Sequence, residues 1–392
     1  MLTQRAFFLQ HVAQTSTIPL GLEIAHAQGC YLFDTNGKKY LDLISGISVS
    51  ALGHGHPAII SAIKKQADTH LHLMVYGEYI QSSQNALASL LIEHLPEQLN
   101  SVYFTNSGAE ATEGAMKLAK RVSGRHGFIS FENAYHGSTQ GALSLAGGEW
   151  LKSAFRPLLP DCIQLPYNDL TALTQINEKT AAVFIDLVQV ESGVRCIDPK
   201  FLLELRKRCN ECGALLVFDE IQTGMGRTGT LWAFEKYGIY PDILLLGKAF
   251  GGGMPLGAFI SSKHHMDKLS FDPVLGHITT FGGHPVSCAA GHAALKTLID
   301  DNIIQEIPQK EKLFRDLLIS PKIKAFHSEG LLGALELEDF NAVQKVISYC
   351  LDKGLIMDWF LFNSTCVRIA PPLLITFEEI KYACSIILEA LG

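Results

Sequence analysis

The sequence predicts an α/β protein, with a mostly parallel sheet between helices in a large domain and a smaller α+β domain beside it. Three observations predict this. From about residue 100, short β-rich apolar runs alternate with stretches of helical apolar spacing, the pattern of a parallel sheet covered on both faces. After about residue 290 the texture changes to helix and mixed strands. A hairpin-like stretch near the N-terminus lies outside the central alternation. Together these divide the chain into residues 46–290 and a smaller unit formed by residues 1–45 and 291–392.

Taken in order, Cys30 to Asp42 reads as a hairpin, with Asn36-Gly37 as its turn. Val102 to Thr105, Phe128 to Phe131, Ala181 to Val188, Ala214 to Phe218 and Ile243 to Leu246 read as buried strands. Ala109 to Val122 and Phe201 to Cys212 read as crossover helices between them. Gly333 to Leu337 and Val367 to Ile369 are strands of the smaller unit, which closes on a helix from Phe377 to Leu391.

Composition narrows the function. A chain of 392 residues, 47% of them hydrophobic, can bury a substantial core over two or three domains. Its net charge of −7, without a Lys/Arg cluster, argues against nucleic acid or an anionic membrane as partner and leaves small-molecule chemistry. Apolar runs fall short of the roughly 20 residues that cross a bilayer, and the N-terminus lacks a signal peptide's apolar segment. A cytoplasmic setting is the expectation. Nine cysteines, an odd number in a large chain, fit reduced thiols. Cys209 and Cys212 form a CxxC, but a second ligand pair at zinc spacing is missing and the flanks are helical. No metal site is expected.

Chemistry is concentrated at strand ends. Asn106-Ser107-Gly108-Ala109-Glu110 follows the first clear strand and opens a helix, so its unpaired N–H groups and the helix dipole could hold a phosphate. Ser107 as a plain N-cap explains the same residues. GxGxxG in a strand-to-helix position and GxxxxGK[ST] are both missing, which removes the usual support for dinucleotide or NTP binding. The strand Ala214 to Phe218 ends in Asp219-Glu220-Ile221-Gln222-Thr223-Gly224, at the sheet edge where open α/β folds bind ligands. One of its two carboxylates also suits a helix cap. Lys248 follows a buried strand and precedes a glycine run, where a desolvated amine is poised for Schiff-base chemistry; a surface lysine just past a strand is the bland alternative.

Read together, Tyr40-Leu-Asp42, Gly53-His-Gly-His-Pro57, Asn106 to Ala111, Ala134-Tyr-His-Gly137, Phe218 to Gly224, Gly247 to Gly253, Thr280-Phe-Gly-Gly283 and Val367 to Pro372 resemble the class III aminotransferases of fold type I. That family includes acetylornithine, ornithine and 4-aminobutyrate aminotransferases. The motifs run through nearly the whole chain in the family's order. The resemblance implies pyridoxal 5′-phosphate as cofactor, with Lys248 as the lysine that holds it as a Schiff base and later moves the substrate proton. It implies Asp219 on the pyridine nitrogen, where a negative charge keeps the ring an electron sink. Gln222 matches the amide near the ring oxygen, Ser107, Gly108 and Ala109 the phosphate turn, and Tyr135 the stacked aromatic. Thr280 matches a threonine that reaches the phosphate from the neighbouring subunit, so a homodimer is implied. His136, His54 and His56 are expected to be packed, hydrogen-bonded histidines.

Two departures bear on substrate. Ser138 stands where ornithine-type relatives carry a carboxylate-binding arginine, and a hydroxyl cannot replace a bidentate guanidinium. Asp186-Leu-Val-Gln-Val-Glu191-Ser-Gly-Val194 differs from the family's Glu-Pro-x-Gln-Gly-Glu-x-Gly-Val. Arg368 nevertheless matches the arginine that takes the α-carboxylate of glutamate or 2-oxoglutarate, and Glu191 the glutamate that pairs with it otherwise. The reaction expected is transfer from an ω-amino acid or amine to a 2-oxo acid by a ping-pong mechanism. The competing readings are an acetylornithine-type enzyme, an aminomutase or decarboxylase on the same fold, and a scaffold without catalysis.

Overall fold

The computed structural model describes residues 3–392. Its centre is a seven-stranded sheet of β1 (Ser101–Thr105), β2 (Gly127–Phe131), β3 (Cys162–Leu165), β4 (Thr180–Ile185), β5 (Leu215–Asp219), β6 (Ile243–Leu246) and β7 (Gly257–Ser261). The spatial order is β1-β7-β6-β5-β4-β2-β3. All neighbours pair in parallel except β7, which runs antiparallel to both β6 and β1.

Side chains of these strands alternate between two apolar layers, as the period of two requires. Phe184, Val217, Ile243, Leu245 and Phe259 face one layer with Ala111, Ala115 and Leu118 of helix α1 (Gly108–Ser123). Val183, Leu216, Phe218, Leu244 and Leu246 face the other, with Phe201 and Leu205 of α2 (Pro199–Cys212) and Leu295 of α3 (Pro285–Asp300). Both faces are covered, which is why the strands read as continuous apolar runs rather than alternating ones.

The remaining strands form smaller sheets. Ile24–Gln28, Tyr31–Asp34 and Lys39–Asp42 pair in sequence, and Lys39–Asp42 then pairs in parallel with Leu355–Ile356. The chain's two ends thus share one sheet. Ala325–Glu329, Leu332–Glu336, Cys366–Ile369 and Asp358–Trp359 make a second antiparallel sheet, followed by α4 (Phe377–Leu391) with a capping box at Thr376 and Glu379. Among the described residues, no helix is long and apolar enough to cross a membrane.

One strand expectation needs correction, and two strands of the central sheet were not expected. The run Ala181 to Val188 is not one strand: β4 stops at Ile185, after which the Asp186 carbonyl accepts from the Tyr167 hydroxyl and the Leu187 carbonyl from the Ile197 N–H. Val188–Gln189 turns away to pair with Arg195–Cys196. The sequence also hid β3, a half-exposed edge strand, and β7, whose start lies just past a glycine run.

Candidate active site

The ends of β1, β4, β5 and β6 converge on a cavity of about 320 Å³ lined by Gly108, Ala109, Tyr135, His136, Asp186, Glu191, Asp219, Gln222 and Lys248, among others. Its base is set by the sheet. Lys248 follows β6 after one glycine and takes φ +48°, a left-handed conformation that an L-residue adopts at a cost of about 1–3 kcal/mol. Its Nζ donates to Gln222 Oε1 at 2.7 Å. Burial lowers the amine to about 8, against the opposing pull of Glu191. A substantial fraction of the neutral, nucleophilic form is therefore present near neutrality.

Asp219 is the last residue of β5 and is 4% exposed. Its Oδ1 accepts from the Ile221 N–H at 3.0 Å, and its Oδ2 lies 2.7 Å from His136 Nδ1. The other ring nitrogen, His136 Nε2, is 3.9 Å from Asp186 Oδ2. Burial works against charge on His136, but Asp186 and Asp219 together raise it; burial likewise raises Asp186. The cluster is buried and acidic, and it stands ready to face a cationic group. His136 is packed and hydrogen-bonded, as expected. That its partner is the Asp219 carboxylate was not readable, because 83 residues separate the two.

The companion Glu220 has the other role expected of the pair. Its carboxylate accepts from the Ala233 and Phe234 N–H groups at 2.7 and 2.9 Å, capping the short helix Ala233–Lys236, and burial pushes it up to about 8.

Opposite Asp219, α1 points its N-terminus at the cavity. Ser107 is its N-cap, accepting from the Glu110 N–H at 3.2 Å, while the first N–H groups of the helix have no intrahelical acceptor. Gly108 packs closely against Ile221, whose Cδ1 a Cβ at this position would approach to 2.7 Å. Gly137, at φ +130°, lets the Tyr135 loop rest on Ala109, where a Cβ would come within 2.6 Å of the alanine's own. Tyr135 is 37% exposed, with its hydroxyl 2.8 Å from Ser138 Oγ.

One wall of the cavity carries an ion pair. Glu191 lines the cavity, and its carboxylate binds Arg368 bidentately at 2.8 and 2.9 Å. Burial opposes charge on Glu191, but the guanidinium outweighs it and holds the carboxyl below its usual range. Arg368 lies behind Glu191 on Cys366–Ile369 and is 3% exposed. Thr280 is exposed and stands off the cavity, with its carbonyl 2.8 Å from His72 Nε2. Asp358, which binds Arg368 Nε at 2.9 Å, was missed altogether. No motif marks it.

The family described as aminotransferase class-III matches residues 12–391. The chain belongs to the class III aminotransferases. This aminotransferase is 37% identical over 381 residues to the acetylornithine aminotransferase of Caldanaerobacter subterraneus, covering 94% of each chain. It is 38% identical to that of Methanopyrus kandleri, covering 97% of this chain and 96% of the relative. Among solved structures, an ornithine aminotransferase from Toxoplasma gondii, described with partial occupancy of PLP at its active site, superposes with a TM-score of 0.90 at 30% identity, over 98% of this chain and 92% of that one. Membership implies pyridoxal phosphate as cofactor and fold type I as architecture.

Proposed function

We propose that this aminotransferase moves an amino group from an ω-amino acid or amine to a 2-oxo acid such as 2-oxoglutarate. The observation that carries this reading is the pairing of Arg368 with Glu191 in a cavity whose Ser138 offers no guanidinium for a second carboxylate.

The cavity fits pyridoxal phosphate. Gln222 Nε2 is buried without a hydrogen-bond partner beside Lys248, a donor suited to a ring oxygen. Asp219 supplies a buried carboxylate for the pyridine nitrogen, Tyr135 a flat face, and Ser107, Gly108 and Ala109 a helix terminus for the phosphate, with Thr280 of the partner subunit completing that end. Exposed Phe271, Val274, Leu275, Ile278 and Phe281 around Thr280 support a homodimer through this region. When bound, pyridoxal phosphate supplies the carbonyl that captures the amine and a ring that accepts electrons from its carbon.

The protein's own residues do the rest. Lys248 holds the cofactor and, once displaced by the donor, takes the proton from the amine-bearing carbon with its neutral Nζ. Glu191 covers Arg368 while a neutral or cationic donor end is present, and yields the guanidinium when an oxo acid brings its α-carboxylate. The cofactor-binding unit is residues 46–290 and the smaller unit residues 1–45 with 291–392, which the pairing of Lys39–Asp42 with Leu355–Ile356 supports. Nine unpaired cysteines support a reducing, cytoplasmic setting.

A second reading, an acetylornithine-type donor, is favoured by the names of the two relatives above. Absorbance spectra of the purified protein with ω-amino acids, diamines, acetylornithine and glutamate separate the readings, because only true donors bleach the cofactor band. A band that no amine changes contradicts both. For the acceptor, Arg368→Ala is expected to raise KM for the 2-oxo acid thirtyfold or more, since truncating one partner of a buried charge pair costs about 2–5 kcal/mol. An unaltered KM for every oxo acid removes Arg368 from the site. The same variant lowers Tm, because two carboxylates lose their counter-charge.

A further inference from the structure

Arg368 is held by two carboxylates, and only one of them belongs to the cavity wall. Asp358 lies directly across from Arg368 in the antiparallel pairing of Asp358–Trp359 with Cys366–Ile369. Its Oδ1 accepts from Nε at 2.9 Å. The Trp359 carbonyl takes an Nη2 proton at 3.3 Å, and the Phe360 ring lies 4.6 Å from the guanidinium carbon. All three contacts come from one short segment, on the side away from the cavity. Glu191 takes Nη1 and shares Nη2 with the Trp359 carbonyl.

We propose that Asp358 is a positioning residue for the 2-oxo acid: it keeps Arg368 paired and aligned while Glu191 gives way to the incoming α-carboxylate. The proposal rests on the role of Arg368 proposed above. Physically, removing Glu191 from a buried guanidinium would leave a lone charge out of water, a state expensive enough to keep Glu191 in place. A carboxylate fixed on Nε keeps the guanidinium neutralised in that intermediate state. It also fixes the plane of the fork, so the arriving carboxylate meets two parallel N–H groups rather than a rotating one. Glu191 must in addition surrender the Leu361 N–H, which its Oε2 accepts at 3.2 Å, so the exchange has a second contact to break. Asp358 lowers the cost of the part that involves charge.

The test uses the cofactor-loaded enzyme and two readouts: steady-state KM values for 2-oxoglutarate and for a donor amine, and calorimetric binding of glutarate, a dicarboxylate without an oxo or amino group. Asp358→Asn is expected to weaken glutarate binding about tenfold and to raise KM for 2-oxoglutarate at least fivefold more than KM for the amine. Asp358→Glu, which keeps the charge, is expected to bind glutarate within threefold of wild type. A folded Asp358→Asn that binds glutarate like wild type overturns the proposal, as does a folded Asp358→Glu that loses binding tenfold. If Asp358→Asn does not fold, Asp358→Glu decides alone. Arg368→Ala separates the two layers: if it too keeps glutarate binding, the role of Arg368 fails, and if it loses binding while Asp358→Asn does not, only the role of Asp358 fails.

Discussion

Lys248→Ala is expected to lower turnover more than a thousandfold while leaving the fold intact. The residue is asked to do two things with one atom, holding the cofactor and carrying the substrate proton, and a positioned acid–base group alone contributes roughly 10²–10⁴-fold. Alanine removes both. The loss of stability is small, since Lys248 lines the cavity rather than the apolar core and its amine bonds to Gln222. The check is kcat with saturating donor and oxo acid, alongside a thermal melt and the absorbance of added cofactor. Turnover within tenfold of wild type would remove Lys248 from the chemistry. The lowered amine has its own signature. Because burial brings it down to about 8, the rate at which cofactor-free enzyme captures pyridoxal phosphate should rise with pH to a midpoint near that value. An ordinary lysine, still protonated there, would show a midpoint near 10.

Asp219→Asn should slow the first half-reaction about a hundredfold to a thousandfold, the scale on which one preorganised electrostatic contact acts in a dry site. Asparagine keeps the shape and the bond from the Ile221 N–H, but it removes the charge that raises the affinity of a ring nitrogen for its proton. It also leaves His136 without the carboxylate that now lies 2.7 Å from its Nδ1. Rapid-mixing absorbance with a saturating amine reads the half-reaction directly. A rate close to wild type would mean that the carboxylate faces something other than the ring nitrogen.

Much of the central sheet was legible, because a strand covered on both faces must be apolar at every position; β6 was read to the residue, and α4 likewise from its helical spacing. The strand β7 was not, since Gly257 and the glycine run before it carry no strand signal. The packing explains the glycine: a Cβ at 257 would lie 2.4 Å from the Ser107 carbonyl oxygen. Site residues adjacent to strand ends, such as Asp219 and Lys248, stood out through chemistry placed where a sheet ends. Asp358 and the partner of His136 did not. The His136 contact joins segments 83 residues apart, while Asp358 meets Arg368 only through a strand pairing that its two-residue strand does not announce, and a single acidic or imidazole side chain carries no spacing that marks either contact.

The early end of β4 has a bearing on how this protein can change. One six-residue segment, from Asp186 to Glu191, leaves the sheet and lines the cavity, so its first residue sits with His136 while its last meets Arg368. The two sites are joined by a span too short to let either shift alone. An insertion or deletion made to move the Glu191 end would drag the Asp186 end with it. New donors are better sought at Ser138, which reaches the same space from a separate loop.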